Sequence, residues 1–189
     1  MDFSIGPYCF IEHDAKRALI LQRVAVNFQG ETRAFRTGAN GTGDVYLEDV
    51  VGHSFLFRGQ SVWARQFNVE GDGTHVENDG GTLWILGYKT EGGGTLIATR
   101  NGGKTELLGC FSYTVNAPTD APMLLIENAR ASFSFAETCF TGKPYPLVVR
   151  EIRKNETREL KAGDPRWGGH FTLFTSGTQQ ATGTTKSGE

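Results

Sequence analysis

The sequence predicts an all-β fold in which the chain coils into a parallel solenoid of about six rungs. Three observations predict it. Two families of short apolar segments alternate along the chain, closed by glycines and other turn residues. The same residue types return in register every 21 or 22 residues over the best stretch. No segment long enough shows a convincing helical period, and RKNETRELKAG (Arg153–Gly163) comes nearest.

The repeat is clearest around TLWILGYKTEGGGTLIATRNGG (Thr82–Gly103). Shifted back by 21, Trp84 falls on Trp63, Tyr88 on Phe67, Glu91-Gly92 on Glu70-Gly71, Thr95 on Thr74 and Ile97 on Val76. Shifted forward by 22, Leu86-Gly87 falls on Leu108-Gly109. In chain order, one strand family is Ala18–Val26, Asp44–Val51, Ser61–Val69, Thr82–Thr90, Lys104–Ser112 and Ala131–Cys139. Between them come Thr32–Gly38, Ser54–Gln60, Thr74–Gly81, Thr95–Gly103, Pro122–Ala129 and Tyr145–Ile152. A strand pair this short cannot bury its own apolar side and must stack on a copy of itself. With no helix between strands that repeat in one direction, helix-crossover units are excluded. An antiparallel sandwich would not return residue types every second strand, and a propeller repeat is about twice as long. Residues 1–17 then form a lead-in, 18–152 the rungs, 153–177 a capping segment and 178–189 a polar tail.

Composition bounds the function. The chain has 189 residues, enough for one domain with a real core, and a formal net charge of -2, which does not suggest a nucleic-acid binder. No apolar run approaches the length of a membrane helix, and MDFSIGPYCFIEHD lacks the basic start of a signal peptide. Cys9, Cys110 and Cys139 are odd in number and widely spaced, which fits small buried hydrophobes better than disulfides or a zinc site. Asn40-Gly41-Thr42 and Asn155-Glu156-Thr157 match the glycosylation pattern, which carries no weight without a secretory route.

On these rungs, with TLWILGYKTEGGGTLIATRNGGKTELLGC as the best stretch, the region Ala18 to Ile152 resembles the pectate-lyase-like superfamily. The resemblance implies a right-handed single-stranded parallel β-helix. It also implies a polysaccharide partner and the C-terminal portion of a larger carbohydrate-active protein. It does not imply one activity, because this fold hosts many. The family's hydrolases usually show Asn-Thr-Asp, Asp-Asp, Gly-His-Gly and Arg-Ile-Lys. Here Gly52-His53 is followed by Ser54, Ile152-Arg153-Lys154 is in the wrong order, and Asp-Asp is absent. A lyase, using acidic groups for calcium and an Arg or Lys as base, is the enzyme type left open.

Aligning the second strand family gives an inward column of Phe35, Phe57, Asn78, Thr99, Ile126 and Val149. The next, outward column reads Arg36, Arg58, Asp79, Arg100, Glu127 and Arg150. Such a column is an ion-pair ladder between rungs, or a guanidinium stripe able to hold planar carboxylates of an acidic polysaccharide. In this alignment Arg36 and Arg58 adjoin and are the most available to a ligand, with Asp49 a candidate counter-charge. Asn78, facing inward, must be hydrogen-bonded, for which Thr99 on the next rung is a candidate. Trp63 and Trp84 stack in register, as packing or as a sugar-binding platform.

His75 is placed on the outward side beside Glu77 and Asp79. As a catalytic set, His75 with Arg58 or Arg100 would abstract a proton next to a sugar carboxylate, while Asp79 and Glu77 would hold calcium. His13, in Glu12–Asp14, reads as a solvated loop residue. Three expectations result: a polysaccharide-recognising or scaffolding module, a lyase of acidic glycans, or a structural rod. No membrane or nucleic-acid partner is expected, and an open first rung suggests a homo-oligomer or further rungs upstream.

Overall fold

The structure is a computed structural model of the chain and describes residues 9–26, 33–115, 120–139, 144–154, 156–162 and 172–177. These residues form fifteen strands and no helix. The odd strands up to thirteen are β1 (Cys9–His13), β3 (Arg33–Thr37), β5 (Phe55–Arg58), β7 (Thr74–Asp79), β9 (Thr95–Arg100), β11 (Leu124–Glu127) and β13 (Leu147–Arg153). The even strands are β2 (Leu19–Ala25), β4 (Val45–Gly52), β6 (Ser61–Glu70), β8 (Thr82–Glu91), β10 (Lys104–Thr114) and β12 (Arg130–Cys139). Then come β14 (Glu156–Lys161) and β15 (Thr172–Thr175).

Odd strands stack in one sheet, β1-β3-β5-β7-β9-β11-β13-β14, and even strands in the other, β15-β12-β10-β8-β6-β4-β2. Every successive pair is parallel except β13 with β14 and β12 with β15. The chain is thus a parallel β-solenoid of about six turns. The segment nearest to a helical pattern, Arg153–Gly163, contains β14, which lies antiparallel on the last odd strand.

The even strands are long because each holds a corner. In β8 the inward residues are Leu83, Ile85, Tyr88 and Thr90, so Leu86 and Gly87 face outward in succession. Gly87 has φ 74°, and the corresponding Arg23, Asp49, Gln66 and Gly109 have φ 54°, 55°, 51° and 75°. One left-handed residue advances the chain without advancing the in/out alternation, so the strand turns and resumes pairing on a new face. In β12 the register with β10 shifts between Leu108 and Phe111, and the left-handed residue is absent.

A second corner leads from even to odd strands through Gly71-Asp72-Gly73 and Gly92-Gly93-Gly94. A Cβ on Gly94 would lie 2.1 Å from the Gly73 carbonyl oxygen, so only glycine fits there. The third corner, from odd to even strands, is lined with buried polar groups. Asn78 donates to the Lys104 carbonyl (2.9 Å) and Thr105 Oγ1 (3.0 Å) and accepts from the Gly81 N–H (3.1 Å). Thr99, its expected partner, is its register neighbour but bonds Thr105 Oγ1 instead (2.7 Å). One turn earlier, Gln60 donates to the Gly43 carbonyl (2.8 Å) and to His13 Nδ1 (2.9 Å). His13 Nε2–H then donates to the Arg17 carbonyl (2.9 Å). His13 is therefore buried and hydrogen-bonded through both ring nitrogens, and not a solvated loop residue.

Inward positions of both sheets build one core. Phe55 meets Phe67 edge-on at 4.7 Å and Phe35 lies 5.0 Å from Phe57, while Ile85, Ile97, Leu107, Phe133 and Phe135 extend the core along the axis. Cys110 belongs to it, and burial pushes its thiol well above the ordinary range. The side chains of Cys9 and Cys139, and His170, Asn155 and the tail 178–189, lie outside the described residues.

The register corrects part of the charged column. Arg58, Asp79, Arg100 and Glu127 do stack on adjacent strands. Arg36 does not join them: it pairs with Leu56, two positions short of Arg58, because β3 and β5 align Phe35 with Phe55 and not with Phe57. Arg150 aligns with Leu125, and Glu127 with Ile152, so the column ends there. Glu151 is thereby carried inward beneath Ile126, where Arg153 (2.5 Å) and Arg158 (3.1 Å) neutralise it.

Candidate functional site

The arginines of the expected column are ion-paired from within. Arg36 Nε donates to Glu12 Oε2 (2.6 Å), Arg58 lies 3.7 Å from Asp79, Arg100 pairs with Glu127 (2.8 Å) and Arg150 with Glu159 (2.9 Å). Asp79 also accepts from Asn101 Nδ2 (2.6 Å). Asp49, the suggested counter-charge of Arg36 and Arg58, sits on the other sheet, at the corner of β4. Each exposed pair contributes about 0–1 kcal/mol, so the ladder aligns rungs more than it stabilises them.

His75 lies apart from this column. It stands four residues before Asp79 on β7, about 13 Å along the strand. Its side chain is buried, with Nε2–H donating to the Gly71 carbonyl (2.8 Å) and Nδ1 accepting from Thr90 Oγ1 (2.9 Å). Burial lowers its pKa, so it is neutral and sealed from any ligand on the outer face. His75, Arg58 and Arg100 are therefore not brought together as a catalytic set. Glu77 and Asp79 are on one strand, half-buried, and among the described residues no three His, Cys, Asp or Glu side chains converge as a metal site.

The outer face of the even sheet is different in kind. Before the corner, Ile20, Tyr46, Trp63 and Trp84 occupy one register column. The Tyr46 and Trp63 rings stack at 5.0 Å and 9°, with 40% and 38% of each residue exposed. Trp84 continues the column half-buried. A hollow of about 180 Å³ runs beside Tyr46, Trp63, Trp84 and Arg65. The adjacent column is Gln22, Glu48, Arg65, Leu86 and Leu108. Glu48 is ion-paired to Arg65, whose hydrogen bond holds its carboxyl below the usual range, and it accepts from Gln22 Nε2 (3.0 Å).

The corner itself forms an open axial groove of about 620 Å³ that crosses β4, β6, β8 and β10. Asp49, Gln66, Gly87 and Gly109 run along it, with Asn68, Lys89 and Phe111 on the leg beyond. Lys89 is clamped by Glu70 and Glu91 and lies 4.9 Å over the Tyr113 ring.

Of the expected ligand-binding residues, the structure places Trp63 and Trp84 side by side on this face, and Arg36 and Arg58 on the other sheet. Tyr46 and the corner residues were not singled out by the repeat. The alignment of Leu86-Gly87 with Leu108-Gly109 already contained the corner, but Gln66 and Asp49 carry no sequence mark of a left-handed turn. No protein family, curated protein or solved structure was found to match this chain.

Proposed function

We propose that this solenoid recognises or scaffolds a polysaccharide laid along its axis on the outer face of the even sheet. The observation that carries the reading is the exposed, stacked Tyr46–Trp63 pair continued in register by Trp84. Aromatic rings with a polar tip give apolar area to sugar C–H faces and hydrogen bonds to hydroxyls. A column spaced by strand stacking, about 4.8 Å per turn, presents such contacts repeatedly to a polymer. The likeness of the rungs to pectate-lyase-like β-helices is consistent with a role in carbohydrate biology. Catalysis has less support, since the one histidine expected to act as base is buried away from the arginines.

The test is retention on immobilised polysaccharides, with Trp63→Ala as the discriminating variant. A loss of retention with unchanged thermal unfolding supports the reading; equal retention by Trp63→Ala refutes the aromatic column as its contact. A second reading, an assembly rod, is favoured by the exposure of Ile20 (71%), Leu86 (47%) and Leu108 (37%) on the same face, with Phe111 (46%) just beyond the corner. A concentration-dependent oligomer that dissociates in Leu86→Arg would support that alternative.

A further inference from the structure

The corner groove identifies a more definite ligand. It runs parallel to the axis, and its outermost strands, β4 and β10, are three strand spacings or about 14 Å apart. A short run of sugar units would fill it. At Gly87 and Gly109 the floor is bare backbone. A Cβ at Gly109 would meet nothing within 4 Å and one at Gly87 only the Gln66 nitrogen at 3.9 Å, so space lies directly above both. Phe111, 46% exposed, forms one apolar wall.

The polar lining has a sign. Lys89 is the one cation among the described lining residues, and two carboxylates already hold it. Its hydrogen bond to Glu70 keeps that carboxyl below the usual range, so both charges persist at neutral pH. Asp49 adds a further carboxylate at the corner. Gln66 and Asn68 supply neutral amides. Asn68 Nδ2 donates to Glu70 Oε1 (3.0 Å), whereas its Oδ1 is buried without a partner among the described residues. A polyanion would meet more carboxylates than cations here, and Arg58, Arg100 and Arg150 are held by their own carboxylates on the other sheet.

We propose that the groove binds an uncharged glycan, with Asp49 and Gln66 receiving its hydroxyl groups and Phe111 covering one sugar face. This rests on the polysaccharide reading above and specifies its site and ligand class. It reverses the acidic-glycan expectation drawn from the arginine column.

Calorimetric titration of the full chain at low salt would use two probes of equal length, a neutral gluco-oligosaccharide and an oligogalacturonate. The neutral probe should bind at least roughly tenfold more tightly, and 0.5 M salt, which shortens the Debye length to about 4 Å, should leave its affinity unchanged. Gly109→Asn fills the floor with a residue that tolerates the left-handed conformation, and should weaken binding at least roughly tenfold. Gln66→Gly offers a second variant that keeps the corner and removes a contact. Tighter binding of the oligogalacturonate would overturn the uncharged-ligand inference and leave the glycan reading standing. Neutral binding that survives both corner variants but is lost in Trp63→Ala would overturn the groove assignment alone. Binding of neither probe would overturn both.

Discussion

Asn78 is the most exacting test of how the turns are held together. Its amide is fully buried and joins three places: its own turn at Gly81, and Lys104 and Thr105 on the next turn. Asn78→Ala removes these bonds and strands the buried Gly81 N–H. At about 1 kcal/mol for each of the bonds to Lys104, Thr105 and the Gly81 N–H, plus about 1–3 kcal/mol for the unsatisfied buried donor, the cost is about 4–6 kcal/mol. For a chain of this size that corresponds to a fall in Tm of about 8–24 °C. Asn78→Asp is nearly isosteric but replaces an amide NH2 by a carboxylate facing the Gly81 and Lys104 carbonyl oxygens. At neutral pH it should be worse than alanine. The sign with pH follows from linkage. The folded state would raise that carboxyl's pKa, so the penalty is full above the folded pKa, fades as pH falls through it and is gone below the unfolded value of about 3.9. Urea unfolding of the three proteins at pH 7 and pH 4 measures both effects. A cost below about 1 kcal/mol for Asn78→Ala, or an aspartate variant no weaker than the alanine variant at pH 7, would refute the assignment of this amide as the tie between turns.

Three further outcomes are expected. Gly94→Ala should destabilise by about 2–5 kcal/mol, from left-handed strain plus overlap with the Gly73 carbonyl. Gly73→Ala, where a Cβ meets nothing within 4 Å, should cost only about 1–2 kcal/mol by thermal unfolding. Glu137 is buried, accepts from the Tyr145 N–H (2.9 Å) and leaves Oε2 without a partner among the described residues. Burial raises its pKa, so the folded state holds its proton longer than the unfolded chain does. Its contribution is greatest below about pH 4.5 and declines as pH rises through the folded pKa, whereas Glu137→Gln should remove that decline in denaturation curves from pH 4 to 8. Phe67→Ala, which empties the site between Phe55 and Tyr88, should cost about 3–5 kcal/mol, while Trp63→Ala on the outer face should cost far less.

The alternation of strands was legible because stacking repeats the same demand at every turn. Trp63 over Trp84 and Phe67 over Tyr88 are register pairs in the sheet, as the 21-residue shift implies. Register failed where the turns differ in length. Between β3 and β5 and between β11 and β13, alignment by charge put Arg36 and Arg150 into a column that the backbone places elsewhere. Alternation along a strand also misplaced His75, because the glycine corner beside it brings Gly71 and Thr90 onto the imidazole. The groove was hidden for a related reason. It depends on φ at Asp49 and Gln66, residue types that do not mark a left-handed turn as glycine does. Tyr46 escaped notice because a single aromatic at the β4 position has no period until the register is known.

The glycine corners impose a rule of inheritance. At Gly41, Gly43, Gly81, Gly92 and Gly94 an added Cβ would strike backbone belonging to the turn before. Each turn therefore dictates composition to its successor and receives no such instruction from it, as Gly73 and Gly94 illustrate. A turn duplicated beside itself inherits a compatible predecessor, whereas a foreign turn inserted at the same place must carry the glycine that its new neighbour requires. Lengthening such a rod by tandem copying is thus sterically permitted from the outset, and shuffling turns between distant positions is not.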